Sequence, residues 1–103
     1  MTSATRFASF SEFYPFYLSQ HQNRLCRRAH FIGSSSALAA LVQFGVSLDA
    51  AWLLFALLSG YGAAWVGHFF FEKNRPATFS HPLYSFMGDW VMYWQMLTAK
   101  LSW

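Results

Sequence analysis

The stretch AHFIGSSSALAALVQFGVSLDAAWLLFALLSGYGAAWVGHFFF, residues 29–71, decides the fold of this chain. Asp49 is its only acid or strong base, and the run is long enough for two membrane-crossing helices of about 20 residues each. Asp49 lies near the midpoint, where its charge can stay in water while the chain turns. We therefore predict a transmembrane hairpin that returns Glu72 to the membrane face left at Arg28.

Composition supports an integral-membrane class. The chain has 103 residues, of which 55% are hydrophobic and 11% are charged. Soluble domains carry about 25% charged residues, so this chain is far more apolar than they are. We expect one all-α membrane domain over residues 1–103, with the hairpin as its centre.

Two amphipathic segments flank the hairpin. Before it, apolar residues recur at steps of three and four from Phe10 to Leu25, which predicts a helix that Ser11 can cap. After it, Ser80-His81-Pro82 predicts a helix start. The helix that follows has an apolar stripe and an opposite face with Ser85, Asp89 and Lys100, and it either lies in the membrane interface or crosses as a third span. The stripe consists of Leu83, Phe86, Met87, Trp90, Trp94, Leu97 and Leu101.

The cations orient the hairpin. Cytoplasmic flanks are rich in Lys and Arg, so both hairpin ends are expected in the cytoplasm, either of a bacterial inner membrane or of an endoplasmic-reticulum membrane. The net charge of +3 then indicates topology and contact with membrane lipid, and no nucleic-acid surface is predicted. The formation of a homo-oligomer stays an open possibility at this level. The flanking cations are Arg24, Arg27 and Arg28 before the first span and Lys73 and Arg75 after the second.

This topology places all four histidines near one membrane face. They are His21 and His30 before or at the start of the first span, and His68 and His81 at or after the end of the second. Imidazole binds iron, zinc and copper, and two histidines with one carboxylate form the pattern of non-haem Fe(II) oxygenases. His68 and Glu72 are four residues apart and share a helix face. Ionisable groups at membrane depth are costly, which favours a functional interpretation.

A metal shared by His21 and His30 requires a break in the helix. The two residues are nine apart, so on one continuous helix they would point about 180° away from each other. Asn23 is the expected position, because Asn tolerates the left-handed conformation that ends many helices. The arginines would then lie along the membrane surface, and the first span would begin near His30.

Other interpretations of these residues remain open at this level. His30 and His68 can be interfacial side chains with hydrated tips, and Glu72 can pair with a neighbouring cation. The chain would then be a membrane scaffold without catalytic activity. Alternatively, His30 and His68 can face each other as the two axial ligands of a haem.

Two motifs carry a resemblance to a known family. YLxxHxNxxxRxxHFxG runs from Tyr17 to Gly33, and GHFFFEKNRPATF runs from Gly67 to Phe79. With the sequence around them, they resemble the family of small membrane proteins associated with 2-hydroxy fatty acid dioxygenases. The likeness covers nearly the whole chain.

The resemblance implies an Fe(II)-dependent enzyme. Members of such a family would oxidise a long-chain 2-hydroxy fatty acid with O2 and release a fatty acid one carbon shorter. His21, His30 and His68 match the histidines of the family motifs and are the expected core ligands and catalytic residues. Glu72 is expected as a fourth ligand or as the partner that fixes an imidazole tautomer, and His81 is a further candidate ligand. The candidates for holding the substrate carboxylate are Arg27, Arg28, Lys73 and Arg75.

Overall fold

The computed structural model describes residues 7–103, and every regular element in that part of the chain is helical. The α-helices are α1 (Phe10–Ser19), α2 (Arg24–Ser47), α3 (Ala51–Val66) and α4 (Pro82–Leu97). A π-helix, Gly67–Glu72, continues α3, and a short 3-10 helix, Ala77–Phe79, precedes α4. The predicted all-α fold is confirmed. Residues 1–6 of the predicted domain lie outside the described residues.

The predicted hairpin forms from α2, α3 and the π-helix. Leu48 ends α2 in the left-handed conformation with φ 57°, and the Asp49 carboxylate accepts the backbone N–H of Ala51 at 3.0 Å. The turn therefore falls at Asp49, as expected. At the other end, the Glu72 carboxylate accepts the backbone N–H of Asn23 at 2.6 Å. The two ends of the hairpin meet there.

Small residues bring α2 and α3 into close contact. A Cβ atom placed on Gly33 would lie 2.8 Å from the Ala63 Cβ and 2.9 Å from the Gly60 carbonyl oxygen. Only a hydrogen fits at Gly33, because the neighbouring backbone cannot withdraw. Contacts of this kind between small residues are typical of packed membrane helices.

The outer surface of the hairpin is apolar. In the described part of the chain, Arg24–Ser47 and Ala51–Glu72 are the two helices long and apolar enough to cross a membrane. In the apolar 18-residue stretch of each helix, only 22% is buried inside the protein. Neither helix is therefore the buried core helix of a soluble domain. Val42, Leu54 and Leu58 are each more than half exposed. Helix α4 has 16 residues and is too short to be counted with these two.

Helix α1 packs on α4 through its apolar face, as its periodicity predicts. Phe13 and Tyr17 are fully buried and form a core cluster with Met92 and Met96 of α4. The predicted cap at Ser11 is wrong. Ser9 caps the helix instead, because it adopts an extended backbone and its hydroxyl accepts a backbone N–H at 3.3 Å.

Helix α4 turns much of its predicted apolar stripe away from the protein. Leu83, Trp94 and Leu97 of that stripe are each more than half exposed. The buried face instead carries Ser85 and Gly88 with the two methionines. Because the outward face is apolar, the polar side of α4 turns inward, and this brings a carboxylate into the protein.

The predicted break between His21 and His30 is confirmed, although its mechanism differs from the expectation. Helix α1 ends at Ser19 and α2 begins at Arg24. Asn23 is extended (φ −71°, ψ 126°), and its side chain caps α2 by accepting the Leu25 N–H at 2.8 Å. The left-handed helix end predicted at Asn23 is therefore wrong. The arginines lie inside the first turns of α2 rather than ahead of it.

Candidate metal centre

Three histidines from three segments converge in the interior. His21 comes from the linker between α1 and α2, His30 from the second turn of α2, and His68 from the π-helix. Their exposed fractions are 1%, 5% and 2%. The ring centroids lie 4.4 to 4.9 Å apart, and each pair of rings is nearly perpendicular. π-Helical turns often occur at functional sites, and this one carries His68.

Each ring has an oxygen partner for its Nδ1 atom. The Nδ1 of His21 lies 2.6 Å from the Tyr17 carbonyl oxygen, and that of His30 lies 3.0 Å from the Cys26 carbonyl oxygen. The Nδ1 of His68 lies 2.7 Å from the Asn74 side-chain oxygen. Each oxygen is an acceptor, so each Nδ1 carries the hydrogen. All three Nε2 atoms therefore bear a lone pair.

The Nε2 atoms of His21 and His30 lie 3.2 Å apart inside the protein. With both hydrogens on Nδ1, two lone pairs face each other and neither ring donates. Two imidazole nitrogens bound to one metal at about 2.1 Å lie roughly 3.0 to 3.4 Å apart. The observed separation fits a shared divalent cation, and the Nδ1 partners are those that orient metal-bound histidines.

Cys26 is the fourth member of the group. One ligand atom each from His21, Cys26, His30 and His68 lies within 4.8 Å of the others, and all four residues are buried. The Cys26 sulfur lies 3.9 Å from the Nδ1 of His30, the nitrogen that faces away from the shared Nε2 region. The thiol thus lies on the Nδ1 side of the His30 ring.

Burial keeps His21 uncharged. Burial, and then the neighbouring His30 and His68 rings, lower the pKa of His21 well below its usual range, while the Tyr17 carbonyl acts in the opposite direction. The Arg27 charge lowers this pKa further. A neutral imidazole is the form that binds a metal.

Asp89 of α4 brings a carboxylate beside His30. Its Oδ1 atom lies 4.0 Å from the Nε2 of His30 and accepts a short hydrogen bond from the Tyr17 hydroxyl. Burial raises the pKa of the Asp89 carboxyl to about 7, although the bond from Tyr17 lowers it. A Cβ atom on Gly88 would lie 2.9 Å from the Tyr17 ring, so glycine there lets α4 approach.

The structure does not bring Glu72 or His81 into the group. The Glu72 carboxylate accepts the backbone N–H groups of Gln22 and Asn23, at 3.1 and 2.6 Å. It therefore ties the linker that carries His21 to the end of the π-helix. The His81 ring packs among aromatic rings of the N-terminal segment, 5.4 Å from that of Phe13, and its Nδ1 lies 2.8 Å from the Ser80 hydroxyl.

The four predicted carboxylate-binding cations have partners outside the histidine group or lie at the end of the π-helix. Arg27 donates to the Ser102 carbonyl and hydroxyl oxygens, at 3.2 and 3.1 Å, and Arg28 donates to the Trp103 carbonyl oxygen at 3.3 Å. Lys73 ends the π-helix with a positive φ of 62°, and Arg75 lies over the Phe79 ring. None of these four described residues lines the cavity beside His30.

A cavity of about 230 Å³ opens beside His30 between α2, α3 and α4. His30 and Asp89 form one end of its wall. Ala37, Gly60 and Leu41 are among the residues that continue this wall along the hairpin. The candidate metal position is therefore next to an apolar space.

Four residues of this site were not predicted as site residues, although the sequence contains a signal for each. Tyr17 precedes His21 by four residues and Cys26 precedes His30 by four, so each can present its carbonyl to the histidine one helical turn later. Asn74 lies within the GHFFFEKNRPATF motif. Asp89 is the only acid of α4.

Comparison with known proteins gives one match. The family model described as 2-hydroxy-palmitic acid dioxygenase Mpo1-like matches residues 7–101. No curated protein and no solved structure matches the chain. The match covers α1 to α4 and thus every residue of the histidine group. This chain belongs to the Mpo1-like family of 2-hydroxy-palmitic acid dioxygenases.

Proposed function

We propose that this protein is an Fe(II)-dependent dioxygenase that shortens long-chain 2-hydroxy fatty acids by one carbon with O2. The observation that carries the proposal is the convergence of three buried imidazole rings, each held in place by a hydrogen bond at Nδ1. Family membership supports the reaction class, and the histidine group supports a metal.

Three nitrogen ligands suit this chemistry. His21, His30 and His68 would hold the iron, and the polar head of the 2-hydroxy acid would reach it from the cavity beside His30. Bound Fe(II) would supply the one-electron chemistry toward O2 that no side chain of the group supplies. Tyr17, Cys26 and Asn74 keep the rings in the tautomer that can bind it.

The protein residues around the rings exclude water and orient the site. Asp89 is fixed by the Tyr17 hydroxyl, and it can receive a proton from the substrate hydroxyl at the inner end of the cavity. Glu72 keeps the His21 linker against the hairpin. Arg27, Arg28, Lys73 and Arg75 would draw an anionic head group to this end of the protein.

The geometry disfavours the haem alternative. Two axial imidazoles at about 2.0 Å from one iron would have ring centroids roughly 6 Å apart, on opposite sides of a porphyrin. The centroids of His30 and His68 are 4.9 Å apart, and the His21 ring lies within 4.5 Å of both. A porphyrin plane does not fit between these rings.

The membrane setting suits an amphiphilic substrate. We place both hairpin ends in the cytoplasm, with the histidine group at that face and the apolar helices in lipid. An acyl chain would remain in an apolar environment while its polar head reached the metal.

The test uses full-length protein purified anaerobically in detergent and loaded with Fe(II). We expect O2 uptake and a fatty acid one carbon shorter, detected by mass spectrometry, when a long-chain 2-hydroxy acid is added. The same acid without the hydroxyl is the control and should not react. Bound iron without consumption of any 2-hydroxy acid would refute the proposed reaction, and absence of metal binding would favour a scaffold.

A further inference from the structure

The cavity next to the histidines follows the length of the hairpin. On α2 its wall contains His30, Ser34, Ala37 and Leu41, at steps of four, three and four that keep one helix face. Eleven residues separate His30 from Leu41, which corresponds to about 16 Å along the helix axis. The cavity is therefore a long groove with the candidate metal position at one end.

The facing helix supplies a matching wall. On α3, Ala64, Gly60, Ala56 and Leu53 line the same space. Because α2 and α3 are antiparallel, Ala64 lies toward the His30 end and Leu53 toward the Leu41 end. Leu57 and Tyr61 of α3 also line it. The small side chains in the middle of the two walls, Ala37 on α2 and Ala56 and Gly60 on α3, leave space between the helices.

Helix α4 closes the third side near the histidines. The groove is lined on this side by Phe86, Asp89 and Trp90, at steps of three and one that again keep one helix face. The polar groups of His30 and Asp89 thus stand at one end, and the rest of the wall is mainly apolar. A ligand that matches it has a small polar head and a long apolar chain.

We propose that this groove binds the acyl chain of the substrate and that Leu41 and Leu53 at its far end set the preferred chain length. The inference rests on the proposed function, because that reaction brings the polar head to His30 and Asp89. An extended chain advances roughly 1.25 Å per carbon, so the 16 Å of α2 accommodates about a dozen carbons beyond the head.

The groove leads to His30, and this favours the substrate acyl chain over a membrane lipid as its occupant. A membrane lipid would cover the outward faces of α2 and α3 equally, including Val42 and Leu58, which do not line the groove. The groove has three walls and ends at His30 and Asp89, so its polar end is small. A single-chain 2-hydroxy acid has a head small enough to enter.

Chain-length profiles test the far end. Leu41 and Leu53 are both about 42% exposed, so substitutions there should preserve the fold. We expect Leu41→Trp to lower kcat/KM for long chains relative to short ones by at least about tenfold, because a large ring shortens the groove. The double variant Leu41→Ala with Leu53→Ala should shift the preference to longer chains. Val42→Trp is the matched control and should keep the chain-length profile of the wild type.

Photo-crosslinking tests the groove without turnover. The probe is a long-chain 2-hydroxy acid with a diazirine at the chain terminus, and a second probe carries the diazirine near the carboxylate. We expect the first to label the region of Leu41 and Leu53 and the second to label the region of Ser34 and Ala64.

The two experiments separate this inference from the proposed reaction. Labelling at the expected depths without turnover would support the groove and refute the reaction. Two results would overturn the proposal that the groove binds the acyl chain while the reaction stands. One is turnover with Val42 and Leu58 labelled as strongly as Leu41 and Leu53, and the other is an unchanged chain-length profile in Leu41→Trp.

Discussion

The Nε2 atoms of His21 and His30 lie 3.2 Å apart although nine residues separate them in sequence. On one continuous helix the two side chains would point about 180° apart. The extended residue Asn23 separates α1 from α2, and the Glu72 carboxylate holds the linker in position. The histidine group thus depends on a helix break as much as on the histidines themselves.

His68→Ala should reduce the affinity for Fe(II) by at least 10- to 100-fold, because it removes one of three nitrogen donors. The protein should stay in the membrane, since no spanning hydrophobicity is lost. Metal analysis of purified protein gives the measurement. His81→Ala is the matched control, because that ring lies outside the group, and it should retain iron. Equal iron content in His68→Ala and wild type would contradict the site.

Asn74→Leu should lower the affinity for Fe(II) by about 10-fold or more, because it removes the acceptor that orients His68. The Asn74 amide also donates to the Gln20 carbonyl and side-chain oxygens, at 3.1 and 3.2 Å, which ties His68 to the His21 linker. Asn74→Asp keeps the acceptor and should retain most of the affinity. Competition with a chelator measures the Fe(II) affinity of both variants. Equal affinities in Asn74→Leu and Asn74→Asp would exclude this positioning role.

The Tyr17 and Asp89 side chains should be energetically coupled. Tyr17→Phe and Asp89→Asn each disturb a buried, charge-assisted hydrogen bond, which contributes about 1.5–3 kcal/mol. A double-mutant cycle on the free energy of unfolding in detergent should give a coupling energy of about 1–3 kcal/mol. Strictly additive effects would mean that the bond contributes nothing to stability.

Gly33→Ala should destabilise the hairpin by about 1–3 kcal/mol, because its methyl group would meet the Gly60 carbonyl and Ala63 at contacts shorter than van der Waals distance. Gly62→Ala is the matched control in α3, since a Cβ atom there meets nothing within 4 Å. That variant should be neutral or more stable by up to about 1 kcal/mol. Thermal unfolding in detergent compares them, and equal stabilities would contradict the close packing.

The topology prediction places Asp49 on the side of the membrane opposite both hairpin ends. A reporter inserted at Asp49 should be accessible from outside the cytoplasm, whereas reporters before Arg24 and after Arg75 should be cytoplasmic, because the cations remain on that side. Accessibility to an impermeant reagent in intact cells and in inverted vesicles gives the answer. A cytoplasmic reporter at Asp49 would contradict the proposed orientation.

The sequence alone was sufficient for the features that depend on local periodicity and chain length. The long apolar run with one central carboxylate predicted the hairpin and its turn at Asp49, because helix length and charge hydration act within the segment. Helix geometry also predicted the break between His21 and His30, since the angle between two side chains follows from their separation along one helix.

Only the tertiary structure decided which side chains meet. Glu72 shares a helix face with His68 by spacing, yet its carboxylate is engaged by the backbone at Asn23. Asp89 instead reaches His30 because the apolar stripe of α4 faces outward and turns the polar side inward. Contacts between segments far apart in sequence depend on how the helices pack, and periodicity within one helix does not determine that packing.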